Sequence, residues 1–100
     1  MIGEQRVLDL IQESFNSLYR VGLINNEMQV DGATVLLGNG ATLESIAFVT
    51  FVADLEERLD RENGLPVYLV LSEIYEFNPS KASLSAGTLA QYIAARTVQS

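Results

Sequence analysis

A chain of 100 residues is enough for one small domain, and with 48% apolar residues it can bury a single core rather than stay disordered. Acids outnumber bases 13 to 6, and the resulting net charge of −7 disfavours nucleic acid and anionic membranes while favouring a basic protein surface as partner. The chain has no Cys, His or Trp, which excludes an internal disulfide, a Cys/His zinc site, thiolate–imidazole catalysis and a Ser-His-Asp triad.

The opening "MIGEQRVLDL" lacks a basic run followed by an unbroken apolar one, so no signal peptide is expected. No window has the length of apolar residues that a membrane span needs. A soluble, cytoplasmic monomer is the expectation. From Gly3 to Arg20, apolar residues recur at Val7, Leu8, Ile11, Phe15, Leu18 and Tyr19, which predicts an amphipathic helix stopped by Gly22. "LINNEMQVDGATVLLGNGA", Leu23 to Ala41, has no sustained period and reads as a long loop. Its anchors Leu23, Ile24, Val30, Val35 and Leu36 favour a loop packed against the core.

The second helix is predicted from the stripe Phe48, Phe51, Val52, Leu55 and Leu59, flanked by Ile46 and Val49. Asp54, Glu56, Glu57, Arg58, Asp60 and Arg61 fall on its more exposed faces. Thr42 can cap it and Glu44 suits its first turn, where the macrodipole favours a carboxylate. Asn63-Gly64 and Pro66 end it. "LPVYLVL", Leu65 to Leu71, is ambiguous by periodicity; with no second strand of similar quality to pair with, it reads as an extended buried connection. "SEIYEF", Ser72 to Phe77, suggests a short helix closed by Asn78-Pro79. "SAGTLAQYIAAR" predicts a last helix capped by Ser85, with Leu89, Tyr92 and Ile93 inward and Arg96 near its C-terminus. Phe48, Phe51, Leu55, Ile74, Tyr75, Phe77, Leu89 and Ile93 are the expected core. The fold class is therefore all-α: residues 1–100 form a single small four-helix bundle of three main helices and a short third one, with a long loop between the first two.

Two readings of Ser45 compete. A serine at a helix start commonly satisfies orphan backbone amides. The same place also suits an attached phosphate, since free amides and the helix dipole stabilise negative charge there. "GNG" at Gly38 to Gly40 lacks the Lys-Ser/Thr of a phosphate-cradling loop and reads as a turn. Glu56 and Glu57 diverge in direction on a helix, so a solvated face is the better reading than a paired-carboxylate catalyst. No catalytic constellation and no metal site emerges.

"LESIAFVTFVADLEERLDRENG" resembles the recognition region of acyl carrier proteins, in which an Asp-Ser-Leu motif opens the second helix and an acidic "LEE" segment follows. Here Glu44, Ser45 and Ile46 fall on that motif and Leu55-Glu56-Glu57 on the later segment, while the order of four helices extends the likeness over nearly the whole chain. The resemblance implies a non-enzymatic carrier. Ser45 would bear 4′-phosphopantetheine, attached from coenzyme A by a phosphopantetheinyl transferase, and the arm's thiol would hold an acyl, aminoacyl or polyketide intermediate as a thioester. Glu44, Ile46, Val49, Glu56 and Glu57 would dock acyl-loading and acyl-transferring enzymes through basic surfaces, and Val49, Val52 and Ile74 would line an acyl pocket. The sequence departs from the family at Glu44, which replaces Asp, and at Ala47 and Thr50, where fatty-acid carriers show further acids. Those differences resemble stand-alone carriers of specialised pathways. The alternative is an unmodified helical interaction module with Ser45 as a cap.

Overall fold

The computed structural model describes residues 3–25, 27–38, 43, 45–64, 68–78 and 83–97. In chain order the elements are α1 (Glu4–Arg20), β1 (Val35–Gly38), α2 (Ser45–Asn63), α3 (Leu71–Phe77), β2 (Ser83–Ser85) and α4 (Ala86–Thr97). The molecule is mostly helical, and α1 packs against both α2 and α4.

The stripe of α1 is Val7, Leu10, Ile11, Ser14, Phe15 and Leu18, all buried. Leu10 and Ser14 join the residues expected there. Tyr19 drops out, because a 3.6-residue period carries it past the edge of the buried face, and its ring is exposed. Gly22 ends the helix at φ 83°. There the Leu23 amide reaches the Leu18 carbonyl and the Gly22 amide reaches Tyr19, a closure that needs the left-handed backbone a glycine allows.

Phe48, Phe51, Leu55 and Leu59 of α2 are buried and Val52 is half-buried, as the spacing requires. Phe51 meets the Phe15 ring edge-on at 5.5 Å, so the largest fully buried side chains of α1 and α2 interlock in the core. Arg58, expected on an exposed face, instead lies along the α1–α2 seam. It donates to Asp54 Oδ2 at 2.7 Å, Glu13 Oε1 at 3.2 Å and Ser17 Oγ at 2.6 Å. A long aliphatic stem allows this: it covers apolar surface while the guanidinium finds acceptors at the rim.

Of the connection before α3, residues 65–67 lie outside the described set, and Leu69 is buried while Tyr68 and Val70 are exposed. The buried connection is thus held by one residue of three. In α3, Ile74 enters the core, but Tyr75 and Phe77 remain largely exposed, correcting their assignment to it. A seven-residue helix can bury only one narrow face. Phe77 packs its edge against Tyr92 of α4 at 5.7 Å, while the Tyr92 hydroxyl and Arg96 both bond Glu73.

The long first loop is not free of regular structure. β1 and β2 pair antiparallel, with Val35 opposite Ser85, Leu37 opposite Leu84 and Gly38 opposite Ser83, so the expectation of an all-helical chain is corrected by a small two-stranded sheet. An extra residue on β1 forms a bulge at Leu36, which is fully buried. No helix among the described residues is long and apolar enough to cross a membrane.

Candidate functional site

The candidate site is the beginning of α2 and the chain that leads to it. That chain is held in stages. Gln12 of α1 donates to the Met28 carbonyl and accepts from the Val30 amide, both at 2.7 Å, so one side-chain amide pins the loop twice. Asp31 then folds the backbone: its Oδ1 accepts the Ala33 amide at 2.9 Å, and its own amide donates to Thr34 Oγ1 at 3.0 Å. Beyond it the β1–β2 ladder runs to Gly38. Leu43 is buried in the core immediately before the site, as are Ala47 and Phe48 immediately after it.

Ser45 is the first residue of α2. Helix ends leave the first four amides without intrahelical acceptors, and among the described residues no carboxylate occupies this first turn to oppose an added negative charge. Glu44, expected in the first turn, and Thr42, expected as the cap, both lie outside the described residues.

The outward face of α2 has two halves. Beside Ser45 it is apolar: Ile46 is 74% exposed and Val49, one turn on, 67%, followed by exposed Thr50 and Ala53. Thr50 turns its hydroxyl onto the Ile46 carbonyl at 3.0 Å, withdrawing its polar tip from this surface. The second half is charged. Glu57 stands in solvent, 3.7 Å from Arg61, with exposed Asp60 beside them.

The residues assigned to docking therefore separate. Ile46, Val49 and Glu57 share the outward face. Glu56 does not: it is half-buried, and its Oε2 accepts the Leu69 amide at 2.7 Å, tying the α2–α3 connection to α2. The residues assigned to an acyl pocket separate as well, since Val49 faces solvent, Val52 is half-buried and Ile74 is buried. Sequence reading missed Leu43 and Gln12. Leu43 stands outside the helical period, but an apolar residue just before a helix start is a known staple signal.

No protein-family model, curated protein or solved structure matches the chain.

Proposed function

We propose that the protein is an acyl carrier: Ser45 accepts 4′-phosphopantetheine, and the arm carries an acyl or related group as a thioester between enzymes. In the attachment, the Ser45 hydroxyl oxygen attacks the phosphorus of coenzyme A next to the pantetheine. A phosphodiester forms, the pyrophosphate bond breaks, adenosine 3′,5′-bisphosphate leaves, and the hydroxyl proton passes to a base of the transferase. The group supplies the thiol that this Cys-free chain lacks.

The observation that carries the reading is the juxtaposition at the start of α2. A serine stands at the start of a long helix whose first turn bears no acid among the described residues, and the adjoining outward face presents two large aliphatic side chains followed by acids. A partner can read that surface while acting on Ser45. Acids farther along α2 speed encounter with a basic enzyme without holding it, as a carrier that must leave requires. The two-stranded sheet is not part of the four-helix arrangement that the resemblance implies, and it belongs to this chain's own handling of the loop.

The test is intact mass after incubation with coenzyme A, Mg²⁺ and a broad-specificity phosphopantetheinyl transferase. The expected result is a gain of one phosphopantetheine group, abolished in Ser45→Ala. A folded chain that gains nothing from several transferases overturns the reading and leaves an interaction module with Ser45 as a cap.

A further inference from the structure

The first loop meets the start of α4 through direct backbone contacts. The amides of the first three residues of α4 need acceptors from outside the helix, and all three have them. The Ala86 amide donates to the Thr34 carbonyl at 2.8 Å and the Gly87 amide to the Gly32 carbonyl at 3.0 Å. The Thr88 amide donates to Ser85 Oγ at 3.2 Å. Two of the three caps are thus backbone carbonyls of the loop that leads to Ser45. They extend the β1–β2 ladder by continuing the contact from Val35 back to the turn at Asp31–Thr34.

The approach is close because Gly87 has no side chain. A Cβ there would stand 2.8 Å from the Gly32 oxygen and 3.2 Å from its Cα, both backbone atoms with nowhere to swing. A Cβ at Gly32 would meet only the Gly87 Cα, at an ordinary 3.8 Å. Gly87 lies inside a helix with no positive φ, where alanine is intrinsically the better residue by about 1 kcal/mol. The glycine therefore answers to the loop and not to its own backbone.

We propose that this clamp, closed at the Gly32–Gly87 contact, is a positioning device for Ser45: it fixes the loop at Gly32–Gly38, and Leu43 fixes it again in the core, so that α2 begins in one place. Gly87 is its positioning residue. The inference rests on the carrier reading of Ser45. It adds that modification of that serine depends on backbone contacts made at the start of α4, far along the chain.

The experiment compares wild type, Gly87→Ala and Gly32→Ala by hydrogen exchange and by transferase kinetics. Gly87→Ala is expected to lose amide protection at residues 86 and 87 while α1 keeps its own, and kcat for phosphopantetheine transfer should fall about tenfold with little change in KM, as misplacement of a reacting group predicts. Gly32→Ala adds the same methyl on the tolerant side and should keep both protection and rate. Where Gly87→Ala fails to fold, Asn78→Ala opens the ladder by another route, because the buried Asn78 amide holds the Ser83 carbonyl of β2 at 2.7 Å. An opened ladder with unchanged kcat overturns the positioning role alone, and so does unaltered protection in Gly87→Ala. A wild-type chain that no transferase modifies overturns the carrier reading and this inference with it.

Discussion

Ser14 and Ser45 show how much a single residue's position decides. Ser14 sits at the helical repeat of Val7, Ile11 and Leu18, is fully buried, and its Oγ has no hydrogen-bond partner among the described residues. A buried hydroxyl without a partner retains its desolvation cost and gains nothing in return. Alanine also has the higher helix propensity. Ser14→Ala should therefore raise stability by about 1–2 kcal/mol, seen as a higher urea midpoint at unchanged m-value. A lower midpoint would mean that Ser14 is satisfied by a water or fills space that Ala leaves empty. The α1 period makes Ser14's place legible in the sequence, since it falls on the stripe, but serine's polarity argues for the other face. Ser45 is the reverse case: by type and place it reads as an ordinary cap, and the proposal that it is modified rests on its neighbours "LES" and "IAFV".

At the scale of the elements, α2 shows why two adjacent identical residues need not share a role. A turn of 100° per residue puts Glu57 in solvent and Glu56 against the amide of Leu69. Removing the Glu56 carboxylate leaves a part-buried backbone donor unpaired, so Glu56→Ala should cost about 1 kcal/mol of stability by denaturant titration. Glu57 loses only an exposed pair with Arg61, and Glu57→Ala should stay within about 0.5 kcal/mol of wild type. Equal losses at the two positions would contradict this division. Periodicity placed α1, α2 and α4 from the sequence because each buries a long stripe, and Ser85 proved to cap α4 by accepting the Thr88 amide. The strands were illegible for a physical reason. "VLLG" does not alternate, "SLS" is too short and polar, and each strand is specified by its partner some fifty positions away rather than by its own pattern. The aromatic residues of α3 misled for a related reason: a helix so short offers them too little neighbouring surface to be covered.

The whole molecule carries its charge unevenly. Arg6, Arg58 and Arg61, half of its six basic residues, line one open groove of about 210 Å³ with Glu13 and Glu62, across the seam of α1 and α2. Arg6 holds Glu62 by two parallel bonds of 2.9 Å, joining the start of α1 to the end of α2, and Glu13 lies 3.6 Å from the same guanidinium. The hydrogen bond from Arg6 lowers the Glu62 pKa from its ordinary 4.5, and the Arg6 value is raised in turn. Because the folded state holds Glu62 below its unfolded value, the pair's contribution is present above pH 4.5 and is lost as pH falls through the lowered folded value. The groups are solvent-exposed, so the contribution is modest and screened by salt. The pair is isolated by difference: the stability gap between wild type and Glu62→Gln should be constant above pH 4.5 and close below it. It should also shrink with added salt at neutral pH. A gap that stays constant through the acid range would show that the Arg6 bridge adds nothing to the α1–α2 seam, whose other contacts include Arg58 with Glu13 and Phe15 with Phe51.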